Sequence, residues 1–351
     1  MLQGNELPPG PCFIYGNHCN NYDPFILNAF TCLGQATAGV MTKEYLHSGP
    51  LAKLFSWTGI VGTEKRVPEP HLIRKIWKML DEGRRVVIFP EGGRRWDGRP
   101  APWIQSTARL FMKAGAPVYP VEIIGSYVGW PRWAQWPRPA HIKLKVHAAL
   151  DFSDSPVFEE GLRRLKRPIS TDENKVSGDI SPAWAFRPAA GIDRLLYRDM
   201  SSGVFSGLKV VSGKYLLSES GDHKWRVNSD STLTDLSSGT THTSAYLYDQ
   251  VRSLPLPDDR TKAITSTRGN VVFNVDHLEH QQPAMRCSLW HDRIELDERV
   301  LPLEEIRYMG LERSDRIWFL TSMEKIQMEF GSASVLAWYD VLEKLAPHIN
   351  S

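Results

Sequence analysis

The stretch that decides the fold is Tyr15-Gly16-Asn17-His18-Cys19-Asn20-Asn21-Tyr22-Asp23-Pro24. The apolar residues 12–15 predict a buried strand, and the polar residues that follow predict a turn. Asp23 and Pro24 predict the start of a helix, because Asp caps helix N-termini and Pro fits the first helical turn. Asn17 and His18 are therefore expected at the carboxyl end of a strand, which is where open α/β sheets bind ligands.

His18 and Asp23 are candidate catalytic residues. An unperturbed histidine titrates near neutral pH, so it suits general-base work, and a carboxylate within reach can fix its tautomer and stabilise the imidazolium. Five residues span about 140° around a helix, so the two can meet only if a turn folds His18 back onto Asp23. The alternative is that Asp23 merely caps the helix and that His18 is an ordinary loop histidine.

The rest of the first 150 residues alternates strand and helix patterns. Residues 85–89 and 118–124 are apolar and rich in β-branched side chains, which predicts buried strands. Apolar stripes predict helices over residues 72–80 and 105–113, and alternating apolar and polar residues predict an edge strand at 141–146. Such alternation of strand and helix implies an α/β layer fold.

The remainder of the chain has a different pattern. Residues 1–168 are assigned to the first domain and residues 169–200 to a linker, because Ser, Asp, Pro and Gly interrupt any period there. Beyond residue 200, short strands between Gly, Ser and Asp turns predict a smaller β-rich domain, with early strands at 207–217, 245–251 and 270–275. A β-meander closed by an amphipathic helix at 334–345 resembles a pleckstrin-homology-like fold over about residues 285–350.

Length and composition limit the class of protein. The 351-residue chain can hold two domains, and its 42% hydrophobic and 23% charged residues are typical of globular proteins. The four Cys residues have no Cys-x-x-Cys spacing, so neither a metal site nor a disulfide framework is expected, and a reducing, cytoplasmic setting fits. No signal peptide and no transmembrane helix are predicted, so membrane association is expected to be peripheral.

The charge is distributed unevenly. Residues 1–150 carry 18 Lys and Arg against 10 Asp and Glu, whereas residues 151–351 carry 24 against 30. A basic first half suits an anionic substrate or an anionic membrane surface, and no nucleic-acid partner is expected. The alternative is a charge asymmetry without any function.

Four short motifs follow one another between residues 4 and 150. They are Asn17-His18 with Asp23, then Glu64-Lys65-Arg66, then Phe89-Pro90-Glu91-Gly92-Gly93-Arg94, and finally Val118-Tyr119-Pro120-Val121. Together they resemble the motifs of the glycerolipid acyltransferase family, whose best-known members are 1-acylglycerol-3-phosphate acyltransferases. The resemblance implies a mixed α/β sheet with helices on its faces. Gly93 departs from the family pattern, which has Thr there, and this change is expected to shift the substrate without abolishing the chemistry.

The resemblance also implies roles for individual residues. His18 is expected to take the proton from an acceptor hydroxyl as that hydroxyl attacks an acyl thioester, while Asp23 orients the imidazole ring. The substrate-binding candidates are Asn17, Arg66 for the acceptor phosphate, Glu91 and Arg94 for the acceptor site, and the backbone N–H groups of Gly92 and Gly93. Cys19 lies beside His18 in the sequence, but adjacency gives no hydrogen-bond geometry, so it is not favoured as a nucleophile.

A second informative stretch carries tryptophans spaced by three residues. Trp130, Arg132, Trp133 and Trp136 are candidates for membrane contact, because Trp and Arg favour the bilayer interface. The alternative, which the sequence leaves equally open, is a rigid loop whose tryptophans pack within the protein or line an acyl channel.

The leading hypothesis is an acyltransferase that uses acyl-CoA or an acyl-acyl-carrier-protein as co-substrate, with no bound cofactor. The expected acceptor is a lysophospholipid, by default 1-acylglycerol 3-phosphate, and acyl carrier protein is a candidate partner. The alternatives are a different acceptor, a catalytically silent lipid-binding protein, and a metal-dependent hydrolase. Intact His18, Asp23, Glu91 and Arg94 disfavour the silent protein, and the lack of metal-site spacings ranks the hydrolase last.

Overall fold

The structure, a computed structural model, describes residues 2–31, 34–42, 60–63, 70–176, 180–275, 278–331 and 333–349. The chain divides into two compact units. The first unit comprises Met1–Pro131 and Arg138–Ala183, and the second comprises Arg132–Pro137 and Trp184–Ser351. The boundary therefore falls at residue 183, inside the segment that the sequence assigned to a linker.

The two ends of the segment 169–200 pack into the two units, and its assignment to a linker stays a prediction. Ile169 is buried in the core of the first unit, and Tyr197 donates a hydrogen bond of 2.8 Å to buried Asp340 of the second unit. The residues that interrupt any period in the sequence form short 3-10 turns, at Arg167–Ile169, Glu173–Lys175 and Ile192–Arg194. Two of these turns bury one apolar residue each, Ile169 and Ile192, without a helical or strand period, which is why the sequence suggested a linker.

Strands of the first unit form one mixed sheet. The described strands are β1 (Leu2–Gly4), β2 (Cys12–Gly16), β3 (Thr37–Thr42), β4 (Ile60–Thr63), β5 (Arg85–Ile88), β6 (Val118–Ile124) and β7 (Lys143–Val146). Their order in the sheet is β1-β7-β6-β2-β5-β3-β4. β2 lies between β5 and β6 and runs parallel to both, so the carboxyl ends of these three strands meet at one edge. β7 pairs with β6 and also with β1, so it is not the edge strand that the sequence predicted.

Helices cover both faces of this sheet because successive side chains of a strand point to opposite faces. The described helices are α1 (Asp23–Thr31), α2 (Pro70–Asp81), α3 (Gln105–Lys113), the single turn α4 (Ser126–Gly129) and α5 (Phe158–Lys166). Ile14 packs in one core cluster with Leu27 of α1. On the other face, the rings of Phe13 and Tyr15 each lie 5.2 Å from the ring of Phe111 in α3. The predicted α/β sheet with helices on its faces is confirmed.

The second unit is antiparallel. Its described strands are β8 (Leu208–Val211), β9 (Tyr215–Ser218), β10 (Lys224–Val227), β11 (Thr232–Asp235), β12 (Thr241–Thr243), β13 (Thr265–Val275), β14 (Leu278–Leu289), β15 (Arg293–Leu296), β16 (Arg299–Pro302), β17 (Tyr308–Glu312), β18 (Arg316–Leu320) and β19 (Lys325–Glu329), and its helices are α6 (Ser244–Ser253) and α7 (Val335–Leu345). The strand orders are β12-β11-β10-β9-β8 and β16-β15-β14-β13-β19-β18-β17. The predicted β-rich domain ending in a helix is confirmed, whereas its likeness to a pleckstrin-homology fold stays a prediction.

Two predicted strands of the second unit are wrong. Residues 245–251 belong to helix α6, where the Thr243 side chain caps the N-terminus by accepting from the N–H of Tyr246 at 3.1 Å. Residues 207–217 form a hairpin rather than one strand, because the chain turns between β8 and β9 at Ser212 and Gly213, both with positive φ.

Candidate active site

The candidate site lies where β2, β5 and β6 end side by side. The turn at residues 17–22 follows β2, the turn at residues 89–95 follows β5, and Gly125 with Ser126 follows β6. Because the three strands are parallel neighbours, their polar turns come together at one edge of the sheet. The sequence-predicted clusters around His18 and Glu91 are therefore adjacent.

His18 and Asp23 form a hydrogen-bonded pair. The Nδ1 atom of His18 lies 3.0 Å from Oδ2 of Asp23, while 18% of the His18 side chain and none of the Asp23 side chain is exposed. Oδ2 also accepts hydrogen bonds from the backbone N–H groups of Cys19, at 2.6 Å, and Asn20, at 2.8 Å. These donors precede Asp23 in the loop, so the carboxylate fixes the turn that folds His18 back rather than capping α1.

The surroundings of the imidazole define which nitrogen can act. Asp23 engages Nδ1, and the tautomer that carries its proton there has the lone pair on Nε2. The ring of Phe89, which begins the turn after β5, lies 4.6 Å from the imidazole ring at an angle of 33°. An imidazole held on one edge by a carboxylate and on one face by an aromatic ring is oriented to accept a proton at Nε2.

The side chain of Asn17 connects β2 with β6. Its side chain has no exposed surface; Nδ2 donates to the carbonyl of Ile123 at 2.7 Å, and Oδ1 accepts from the N–H of Ile123 at 2.7 Å. The amide therefore pairs with the backbone of β6 in the way that a neighbouring strand would. Both ends of its amide thus serve the junction of β2 with β6, and the predicted contact of Asn17 with substrate stays a prediction.

Glu91 forms an ion pair with Arg95, a residue that was not among the candidates predicted from the sequence. Arg95 donates to the Glu91 carboxylate from Nε at 2.9 Å and from Nη2 at 2.6 Å, and both side chains are buried. Arg95 also donates to the carbonyls of Thr171 and Ile169, at 2.8 and 3.2 Å. Burial lowers the pKa of Arg95, but the Glu91 carboxylate together with other nearby groups more than offsets this, so the pKa lies above its usual value.

The same pair fixes the turn that carries His18. The carbonyl of His18 accepts from the N–H of Arg95 at 2.8 Å, and the N–H of His18 donates to Oε2 of Glu91 at 3.4 Å. The Glu91 carboxylate therefore contacts the backbone of His18, while its role in shaping the acceptor site stays a prediction.

The remaining predicted binding residues are Gly92, Gly93, Arg94 and Arg66. Gly92 has φ +66°, and a Cβ there would collide with Ile104; its N–H donates to the carbonyl of Phe89 at 3.1 Å, so it is used within the turn. Gly93 and Arg94 are partly buried beside it. Arg66 lies outside the described residues.

Cys19 is unsuited to nucleophilic catalysis. Its side chain is fully buried in a small cluster with Tyr127, Val128 and Ile180. Burial raises the pKa of the Cys19 thiol well above its usual value, so the reactive thiolate is disfavoured. Across the described part of the chain, no group of three or more His, Cys, Asp or Glu side chains could hold a metal ion.

Ser126 and Glu173 complete the polar cluster, and the sequence analysis missed both. The Ser126 hydroxyl donates to Oδ1 of Asp23. The Glu173 carboxylate accepts from the N–H of Gly125 at 3.0 Å and of Tyr127 at 3.2 Å. Burial raises the pKa of Glu173 to about 8, and the nearby Asp23 charge adds to that rise. The available signal for Ser126 was its place directly after β6, equivalent to that of His18 after β2.

The tryptophan loop is largely buried. Trp133 has no exposed surface, and the Arg132 guanidinium donates to the carbonyl of Arg313 at 2.8 and 2.6 Å. Neither side chain can contact a lipid surface in this arrangement, so the alternative of packing within the protein describes them. Trp130 is partly buried beside Tyr22, with ring centroids 5.3 Å apart, and Trp136 is 44% exposed.

Residues 2–124 match the Acyltransferase family. The chain is 23% identical over 156 residues to a 1-acyl-sn-glycerol-3-phosphate acyltransferase of Limnanthes alba, covering 44% of this chain and 55% of that protein. It is 27% identical over 142 residues to the 1-acyl-sn-glycerol-3-phosphate acyltransferase of Pseudomonas aeruginosa, covering 38% of this chain and 52% of that protein. The chain thus spans about half the length of these curated relatives.

The chain also aligns with a solved structure. The crystal structure of the 1-acyl-sn-glycerophosphate acyltransferase PlsC from Thermotoga maritima aligns with a TM-score of 0.42 and 21% identity, covering 50% of this chain and 73% of that one. None of the described helices is both long and apolar enough to span a bilayer.

The buried Glu91–Arg95 pair generates a stability prediction. Glu91→Ala or Arg95→Ala leaves the other charge buried and unpaired, and we expect each to lower the free energy of unfolding by about 3–5 kcal/mol. Urea unfolding followed by far-UV circular dichroism measures this. The matched control is Glu160→Ala, whose pairs with Arg163 and Arg164 are exposed and should matter little. Equal effects of Glu91→Ala and Glu160→Ala would contradict the assigned role.

Proposed function

We propose that this protein transfers a fatty acyl group from an acyl thioester to the hydroxyl of a lysophospholipid, with 1-acylglycerol 3-phosphate as the leading acceptor. The observation that carries the proposal is the His18–Asp23 pair, with Nδ1 and Oδ2 3.0 Å apart at the carboxyl end of β2. The family match over residues 2–124 supports acyl transfer, and the names of the similar proteins support the acceptor.

The chemistry follows from a general base without an enzyme nucleophile. Nε2 of His18 takes the proton of the acceptor hydroxyl while its oxygen attacks the thioester carbonyl, and Asp23 stabilises the imidazolium that forms. The tetrahedral intermediate then collapses, the C–S bond breaks, and the imidazolium returns its proton to the leaving thiolate. Buried Cys19 need not carry the acyl group, because the acceptor oxygen is itself the nucleophile.

Substrate binding falls to fewer residues than the sequence suggested. The N–H of Gly93 is the glycine donor that remains a candidate for the developing oxyanion, since that of Gly92 serves the turn. Arg94, which is partly buried beside it, is a candidate for the acceptor phosphate, as is Arg66. The donor in this proposal is acyl-CoA or an acyl-acyl-carrier-protein.

We also propose that the reaction takes place peripherally at a cytoplasmic lipid surface, and that α1 rather than the tryptophan loop contacts the lipid. Tyr22, Phe25 and Phe30 are 50%, 47% and 54% exposed, and they begin one turn after His18. Among residues 22–31 the only charged side chain is that of buried Asp23, so inserting this face into a bilayer interface desolvates no exposed charge. The basic excess of residues 1–150 suits anionic lipid.

The transfer activity can be tested with purified protein in detergent. With oleoyl-CoA and lysophosphatidic acid we expect thiol release that requires the acceptor, and His18→Ala should reduce its rate by about 10²–10⁴-fold because the general base is lost. His141→Ala, which removes an exposed imidazole, is the matched control and should retain activity.

The acceptor panel separates the alternatives. Thiol release with another lysophospholipid or with glycerol 3-phosphate, but not with lysophosphatidic acid, would identify a different acceptor. Release with water alone would indicate a hydrolase. Lipid binding without release for any acceptor would favour the catalytically silent protein, and a fully active His18→Ala variant would contradict the mechanism.

Co-sedimentation with vesicles of phosphatidylcholine and phosphatidylglycerol tests the lipid-facing surface. We expect the double variant Phe25→Ser with Phe30→Ser to lose most of the bound fraction, because two large apolar side chains are removed from the interface. Trp136→Ser removes a comparably exposed aromatic ring and should bind as the wild type does. Loss of binding in Trp136→Ser alone, or a wild type that does not sediment, would contradict the assignment to α1.

A further inference from the structure

The second oxygen of the Asp23 carboxylate has its own partner. Oδ2 receives the imidazole of His18 and two backbone N–H groups, whereas Oδ1 receives the hydroxyl of Ser126. Neither Asp23 nor Ser126 has any exposed surface. A buried carboxylate oxygen without a donor would be costly, so this hydroxyl determines how the carboxylate is turned.

Ser126 is itself held in place on several sides. Its carbonyl accepts from Nδ2 of Asn20 at 2.9 Å, which ties it to the turn that carries His18. The flanking N–H groups of Gly125 and Tyr127 donate to Glu173 at 3.0 and 3.2 Å. Gly125 has φ +88° and a Cβ there would collide with a backbone carbonyl, so the close approach of this turn requires glycine.

We propose that Ser126 is a positioning residue for the general base: its hydroxyl holds Oδ1 of Asp23 so that Oδ2 remains directed at Nδ1 of His18. This inference rests on the proposed acyl transfer for its consequence in turnover, although the geometry exists without it.

Charged groups of three strand ends surround His18, so their contributions must be kept apart from that of Ser126. They are Asp23 on its own turn, Glu91 and Arg95 on the turn after β5, and Glu173 beside the turn after β6. Ser126→Ala replaces none of these side chains, but Glu173, whose pKa is about 8, lies beside the substituted residue. Ser126→Thr, which keeps the hydroxyl, therefore shows whether a change in the titration of His18 comes from the lost hydroxyl.

The first part of the test is kinetic. In Ser126→Ala we expect kcat to fall by about tenfold or more, as for loss of a hydrogen bond to a charged group, while the KM values for both substrates change by less than about twofold. Ser126→Thr keeps the hydroxyl and should recover most of kcat. Thr31→Val is the matched control: it removes a buried hydroxyl that donates to Leu27 within α1, and should leave kcat unchanged.

The second part does not depend on activity. Nitrogen-15 NMR of labelled histidines, with His18 assigned from the His18→Ala spectrum, measures its titration directly. Because a carboxylate that turns away stabilises the imidazolium less, we expect Ser126→Ala to move the pKa of His18 downward by about half a pH unit or more, and Ser126→Thr and Thr31→Val to leave it in place. A purely structural Ser126 would lower kcat without this change.

The outcomes of the two parts distinguish the two proposals. A wild type without acyl transfer overturns the proposed function, while the NMR titration still decides the position of Ser126. An active wild type whose kcat and His18 titration are both unaffected by Ser126→Ala overturns the inference and leaves the proposed function standing.

Discussion

The buried carboxylate of Asp23 is the interaction on which the site depends. A carboxylate without solvent contact is stable only when its oxygens receive donors, and here they receive the imidazole of His18, the backbone N–H groups of Cys19 and Asn20, and the hydroxyl of Ser126. The N–H groups fix the turn after β2, and Ser126 joins that turn to β6. The geometry of the base is therefore set before any substrate arrives.

The polar turns at the three strand ends are linked to one another in the same manner. Asn17 joins β2 to β6 through the backbone of Ile123, and the buried Glu91–Arg95 pair joins the turn after β5 to the backbone of His18. Each link leaves a buried polar group unsatisfied if one partner is removed, so the cluster is expected to behave as a unit. Motif residues that look like ligands in a sequence can thus act by holding the base rather than by touching substrate.

Local sequence patterns predicted the α/β unit and identified His18 and Asp23 as candidates. Strand ends, helix starts and short motifs depend on residues that are close together in the sequence. Arg95 was overlooked because the recognised motif ends at Arg94. Its separation of four residues from Glu91 was the available signal. Ser126 lies 103 residues from Asp23, so only the sheet order brings them together. The prediction of a strand at 245–251 is wrong because a segment of seven residues is too short to distinguish the hydrophobic periodicity of a strand from that of a helix.

The tautomer of His18 tests the central claim most directly, since the claim is that Asp23 fixes the imidazole with its proton on Nδ1. Nitrogen-15 NMR of the histidine-labelled wild type, recorded above the pKa of His18 and assigned with His18→Ala, distinguishes the two ring nitrogens. We predict a protonated Nδ1 and an unprotonated Nε2. A proton on Nε2 would contradict the account, because that nitrogen could not then accept the proton of an acceptor hydroxyl.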